Sequence, residues 1–189
     1  MRNNFLGRIE IICGPMFSGK TEELIRRINR LRYSKKEFLL FKPKLDNRYF
    51  KTKVTSHNKN KESAILVDTI DDIKIACEQF KDIRIIAIDE VQFIKSNRPL
   101  YLDFLNLKSK GYEIILSGLD MDYRGVPFQL MPEIMAIADD VKKLKAVCFE
   151  CGNDAGMSHK KSKEADLVDV GSNEKYSALC FSCWKSKNS

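Results

Sequence analysis

Apolar residues recur along this chain in two periods, and their order outlines a fold before any chemistry is considered. Arg8 to Cys13 (RIEIIC) is a short β-rich run, followed by a glycine-bounded turn, Gly14 to Gly19. Beyond Lys20, Leu24, Ile28 and Leu31 fall at i, i+4 and i+7, which predicts an amphipathic helix ending near Ser34. Phe38 to Lys42 reads as a second strand, whereas Pro43 to Lys61 is polar and irregular, a surface loop or hairpin. Ala64 to Val67 predicts a short strand. Ile70 to Phe80 predicts a helix with Ile73 and Ala76 to Phe80 turned inward. Ile83 to Asp89 is the strongest strand: its apolar run Ile85 to Ile88 ends in two carboxylates, Asp89 and Glu90. A helix over about Tyr101 to Lys110, stopped by Gly111, leads to the buried strand Tyr112 to Leu119. Gly125 to Pro132 reads as loop, followed by a short helix and a final apolar strand around Val141 to Val147.

Continuously apolar strands alternating with helices indicate an α/β fold, a parallel sheet covered on both faces. The pattern stops near Cys148, beyond which the chain is rich in Cys, Gly, Ser and Lys with few long apolar runs. The expected division is therefore residues 1–147 as a nucleotide-binding domain and 148–189 as a small module with a metal for its core. No internal repeat is present.

Composition narrows the class. The 189 residues are 43% hydrophobic and 31% charged, and nine glycines and five prolines exclude collagen-like or low-complexity chains. No apolar run approaches the ~18 residues of a membrane span, and the polar start to Gly7 does not resemble a secretory signal. A cytoplasmic, soluble protein is expected. The net charge of +7 suits anionic partners without choosing between nucleotides and nucleic acid. Arg26, Arg27, Arg30 and Arg32 read as a solvated helix face, and Lys51, Lys53, Lys59 and Lys61 as a solvated polar stretch. Cys13 and Cys77, inside apolar runs, read as small buried hydrophobes.

Gly14-Pro15-Met16-Phe17-Ser18-Gly19-Lys20-Thr21 fits G-x-x-x-x-G-K-[ST] between a strand and a helix. Its glycines let backbone N–H groups converge on phosphate oxygens, with the helix N-terminus behind them. Lys20 is expected to reach the β/γ-phosphates of ATP and Thr21 to hold Mg²⁺. Asp89, at the end of the strongest strand, is expected to complete the Mg²⁺ shell. Glu90 follows at the carboxyl edge of the sheet, where ligands bind in such folds. It is the candidate general base, although position alone does not separate transfer to a hydroxyl from hydrolysis.

Cys148-Phe149-Glu150-Cys151 and Cys180-Phe181-Ser182-Cys183 are two C-x-x-C pairs. Four thiolates in this arrangement suit tetrahedral, structural Zn²⁺ with no position left for water. The site would close the base of the loop 152–179. His57 and His159, the only histidines, read as ordinary surface or loop residues.

In combination these features resemble the type II (cytosolic-type) thymidine kinases over nearly the whole chain. GPMFSGKT, KLDNRY (Lys44 to Tyr49), IDEVQF (Ile88 to Phe93), GLDMDYRGVPF (Gly118 to Phe128) and the paired cysteines occur in the family's order. The resemblance implies a P-loop (RecA-like) parallel sheet flanked by helices, with a small C-terminal zinc-binding lasso domain over the deoxynucleoside. It implies ATP-dependent phosphorylation of thymidine at the 5′-hydroxyl, feedback by thymidine triphosphate (dTTP) and a homotetramer, with no nucleic-acid or membrane partner. Glu90 would accept the 5′-hydroxyl proton, with Asp89 and Gln92 near ATP and Mg²⁺. Arg48 would stabilise the transferring phosphate. Met16, Leu119, Tyr123 and Phe128 would surround the thymine. Ser158, Tyr176 and the lasso residues Leu167, Val168, Asp169, Val170 and Gly171 would read its edge, largely through backbone groups. Tyr123, Ser158, Lys160 and Ser172 depart from the commoner family residues.

Two rival classes remain at this stage. A zinc-ribbon nucleic-acid-binding ATPase would carry a basic-aromatic stripe on the cysteine module. That module mixes Lys160, Lys161, Lys163 and Lys185 with Glu150, Asp154, Glu164, Asp166, Asp169 and Glu174, which argues against a phosphate-backbone grip. A non-catalytic zinc interaction module leaves the phosphate loop unexplained.

Overall fold

The computed structural model describes residues 7–44, 53–55, 61–161 and 175–188, and of 53–55 and 61–63 the backbone only. In chain order the elements are β1 (Arg8–Cys13), α1 (Lys20–Tyr33), β2 (Leu39–Pro43), β3 (Lys53–Thr55), β4 (Lys61–Ser63), β5 (Ile65–Val67) and α2 (Ile70–Gln79). They continue with β6 (Ile85–Ile88), α3 (Leu100–Ser109), β7 (Glu113–Gly118), α4 (Met131–Ile137) and β8 (Asp140–Lys143). The last are β9 (Ala146–Val147), β10 (Asp154–Ala155), β11 (Met157–Lys160), β12 (Tyr176–Leu179) and α5 (Phe181–Asn188).

Six strands form one parallel sheet in the order β5-β2-β6-β7-β1-β8. Alternate side chains of each strand enter opposite faces, and both faces are apolar. Ile9, Ile11, Ile86, Ile88, Ile114 and Leu116 pack with Ile73 of α2, Phe104 of α3 and Ile134 of α4. Ile12, Ile85, Ala87 and Ile115 pack with Leu24, Ile25, Ile28 and Leu31 of α1. The unbroken apolar runs are thus explained by burial on both sides. Cys13 and Cys77 are buried in the first cluster, and burial raises the Cys13 thiol to about 11.

Four details differ from the sequence expectations. The helix α2 ends at Gln79, so Ile73, Ala76 and Cys77 face inward while Phe80 lies past its end, 47% exposed. Arg27 is not solvated: it pairs with Glu10 of β1 and with Glu23, and its side chain is only 12% exposed. The last apolar run is two pieces. β8 extends the parallel sheet beside β1 with Val141 exposed, and β9 turns away to pair with β10. Pro132 sits in the first turn of α4, where a missing N–H is tolerated, rather than in the preceding loop. Between β2 and β5, β3 and β4 form an antiparallel pair, the hairpin alternative for that stretch. Lys51 and Lys59 lie outside the described residues.

Strand order positions the site. β7 lies between β1 and β6, so the phosphate-loop strand and the Asp89 strand are separated by two strand spacings, about 9.6 Å. Side chains must cross that gap above the carboxyl end of β7.

Candidate active site

The phosphate loop is a backbone structure with positive φ at three of its residues, Gly14 (143°), Phe17 (65°) and Gly19 (80°). Gly14 also has no room for a side chain, since a Cβ there would lie 2.4 Å from the Leu144 carbonyl oxygen. Gly19 is the N-cap of α1 and contributes no capping side chain, so the first N–H groups of the helix open into the cleft. Lys20, 8% exposed, curls over the loop, with Nζ donating to the Pro15 carbonyl at 2.7 Å. Ser18 Oγ donates to the same oxygen at 2.8 Å. A narrow cleft is lined by residues 16–22, Glu90 and Leu119.

Thr21 and Asp89 bridge the two strands. Thr21 Oγ1 donates to Asp89 Oδ2 at 3.4 Å, and Ser117, next to the last residue of β7, donates its hydroxyl to Asp89 Oδ1. A hydroxyl beside a buried carboxylate is a hard-oxygen donor set that fits Mg²⁺. Glu90 follows in the left-handed region, φ 52° and ψ 46°. That conformation costs a non-glycine residue roughly 1–3 kcal/mol, and such outliers concentrate at working sites. It turns the carboxylate into the cleft, where Gln92 holds it: Nε2 donates to Glu90 Oε2 at 2.6 Å. Gln92 Oε1 in turn accepts the Leu119 N–H at 3.2 Å, tying the carboxylate to the exit of β7.

The thymine-side residues are not all brought to one surface. Met16 and Leu119 line the cleft. Phe128 is 5% exposed and stands edge-on to Phe93, with centroids 5.8 Å apart. Tyr123 lies on the turn 122–126, with Lys160 Nζ 5.7 Å from its ring centre. Ser158 is buried, and its Oγ accepts the Met16 N–H at 3.0 Å. Tyr176 is buried on β12 opposite Lys160. Arg48 and Leu167 to Gly171, with His57 and Ser172, lie outside the described residues.

The ligand sulfurs of Cys148, Cys151, Cys180 and Cys183 lie within 4.8 Å of one another. The Cys151 and Cys180 sulfurs are 3.7 Å apart. Tetrahedral Zn–S bonds of ≈ 2.3 Å require sulfur separations of about 3.8 Å, so the set fits zinc. Burial opposes ionisation of Cys148, but the backbone N–H groups of Cys180, Cys151 and Glu150 outweigh it and bring the thiol to about 6. The neighbouring sulfurs push the Cys183 thiol the other way, so without a metal the four groups share protons unevenly.

This unit is not separate from the phosphate loop. Its core is small: Ala146, Cys148, Ala155, Ala178 and Leu179, with Phe17 of the loop packed against it. Several contributors were given no role from the sequence. Ser117 is one; a lone hydroxyl inside YEIILSGL was its only signal. Asp120 is another, 5% exposed and ion-paired with Lys143 at 2.7 Å, although the pair is not aligned as a hydrogen bond. Asp122 is a third: Oδ1 accepts the N–H groups of Arg124 and Val126 and so shapes the turn beneath Tyr123.

A phosphate loop facing a strand-end aspartate across one intervening strand defines a nucleotide-binding protein of the P-loop class, here with a cysteine-built unit resting on the loop. Comparison with known sequences narrows the class. The thymidine kinase family profile matches residues 7–184. Thymidine kinases from two strains of Bacteroides fragilis are each 42% identical over 180 residues, covering 95% of this chain and 87% of theirs. The chain belongs to the thymidine kinase family. No helix among the described residues is long and apolar enough to cross a membrane.

Proposed function

We propose that this chain transfers the γ-phosphate of ATP to the 5′-hydroxyl of thymidine, giving thymidine monophosphate and ADP. Membership of the family is the observation that carries the reading, and the geometry supports the roles within it. Backbone N–H groups of 17–20 and the Lys20 ammonium would cradle the phosphates. Thr21 and Asp89 would hold Mg²⁺, which when bound neutralises phosphate charge. The Glu90 carboxylate, oriented by Gln92, would accept the 5′-hydroxyl proton as the oxygen attacks. Arg48 would stabilise charge on the transferring group. Cys148, Cys151, Cys180 and Cys183 would bind one structural Zn²⁺ and anchor the segment Leu167 to Gly171 over the base.

The nucleic-acid-binding ATPase is not favoured, because the family match spans both the phosphate loop and the cysteine unit. A cytoplasmic location suits four reduced thiols. Assembly as a homotetramer and feedback by dTTP, whose base and phosphates would span both halves of the site, complete the reading. Phosphotransfer from ATP·Mg to thymidine, deoxycytidine and deoxyguanosine tests it. Thymidine is expected to exceed deoxycytidine by at least ~10² in kcat/KM, because cytosine reverses donor and acceptor along the edge being read. Comparable efficiency with deoxycytidine would move the chain to a broader deoxynucleoside kinase.

A further inference from the structure

Trp184 is the only tryptophan in the chain, and it lies on α5 immediately after the metal-ligand candidate Cys183. Its ring does not close only on its own unit. The indole Nε1–H donates to the carbonyl oxygen of Tyr123 at 3.0 Å, across 61 residues of sequence. The ring edge also covers Gly125, where an added Cβ would lie 3.3 Å from Cη2 and 3.0 Å from Met157 Cε. Gly125 has φ +78°, so the turn 122–126 is bent to a shape that accepts the ring. Phe181 stacks on the indole with centroids 6.2 Å apart, and the Trp184 backbone N–H donates to the Cys180 carbonyl at 2.9 Å. The residue is therefore gripped from the cysteine knuckle and in turn grips the turn that carries Tyr123.

We infer that Trp184 is a positioning residue for nucleoside binding, a clamp that passes the state of the four-cysteine site to the turn 122–126. The inference rests on the reading that this turn borders the thymine side. Two attachments from the cysteine unit reach the kinase core by different routes. Ser158 holds the Met16 N–H of the phosphate loop, and Phe17 of that loop packs against the cysteine core, whereas the Trp184 indole bonds to the 122–126 turn. Loss of the Trp184 contact should consequently affect thymidine and spare ATP.

Two variants and one spectroscopic readout test this. Trp184→Phe keeps an aromatic ring and deletes the donor, and is expected to raise the thymidine KM about fivefold, the worth of one hydrogen bond. Trp184→Ala removes the ring as well and should raise it further. In both, kcat, the ATP KM and metal content are expected to stay within about twofold of wild type. In the wild type, thymidine without ATP should shift the emission of the single tryptophan. Chelating the metal should shift it towards that of a water-exposed indole.

A thymidine KM within about twofold of wild type in Trp184→Phe would overturn the clamp, and so would equal rises in the thymidine and ATP KM values. Emission unchanged by thymidine would overturn it too. If Trp184→Ala does not fold, Trp184→Phe and the emission measurement decide. If the wild type prefers another nucleoside, the thymidine reading fails instead, and the clamp is then read on the KM of that nucleoside.

Discussion

The phosphate half of the site and the four-cysteine unit are held together in opposite ways. The first sits on strands whose side chains disappear into two apolar clusters, so the sheet fixes its geometry without help from a ligand. The second has a core cluster of only five buried residues, three of them alanine and one itself a ligand candidate, Cys148. A core of that size cannot offset the entropy of ordering its chain, and such units depend on a metal. The difference teaches where each kind of damage will register: chemistry in the first region, nucleoside affinity in the second.

The largest effect is expected in the phosphate half. Glu90→Gln preserves shape and the bond from Gln92 but removes the basic oxygen, and should lower kcat by 10²–10⁴-fold with little change in ATP or thymidine binding. A variant retaining more than about a third of wild-type kcat would take the base role away from Glu90. Ser117→Ala comes next. It deletes a hydroxyl on Asp89 without touching the cleft, and should reduce kcat and Mg²⁺ affinity about 10-fold or more, as losses beside a metal ligand do. Unchanged Mg²⁺ dependence would show that the Ser117 bond does not orient Asp89.

Cys180→Ser should affect the other region. Purified wild-type protein is expected to carry about one zinc per chain, and the variant less, with a raised thymidine KM and an intact sheet by far-ultraviolet dichroism. The ATP KM should not stay constant, because the cysteine unit touches the phosphate loop at two points. Phe17 packs against the cysteine core, and Ser158 accepts the Met16 N–H. A smaller rise in the ATP KM should accompany the larger rise for thymidine. Active protein without zinc would refute the metal assignment.

Acid distinguishes the regions by a different route. Arg26, then Lys142 and Arg27, hold the Glu23 carboxyl far below its ordinary value of 4.5, against the opposing effect of burial. A carboxyl depressed in the folded state stabilises fully above its unfolded pKa, and that stability is lost as pH falls below it. The sheet's Tm should therefore drop as pH falls below about 4.5, and Glu23→Gln should flatten that dependence. A wild-type Tm unchanged down to pH 3 would show that the pairing of Glu23 with Arg26, Lys142 and Arg27 contributes nothing. The smallest effect concerns one methyl group. Deoxyuridine should fall behind thymidine by only a few-fold to tenfold, since burying a methyl between Met16 and Leu119 is worth about 1 kcal/mol.

The same contrast explains what could be read from the sequence. The phosphate loop and Asp89 were legible because each is a local pattern, a turn with its flanking strand and helix, or an apolar run ending in a carboxylate. The four cysteines were legible by spacing. Ser117 was not, because its partner lies on a neighbouring strand and the run around it looks uniformly buried. The reach of Trp184 to Tyr123 and of Ser158 to Met16 joins residues 61 and 142 positions apart, which no periodicity encodes. Arg27 looked solvated because its partner Glu10 sits on β1. Phe80 looked inward because apolar spacing continues one step past the last turn of α2.

The central claim is that the γ-phosphate goes to a thymidine hydroxyl and not to water. Product stoichiometry tests this most directly, with wild-type protein, ATP·Mg and thymidine, following ADP and thymidine 5′-monophosphate together. Equal amounts of the two products at all times, and negligible ADP when thymidine is omitted, are predicted. ADP formed without thymidine monophosphate, or ADP formation stimulated by single-stranded DNA instead of thymidine, would contradict it.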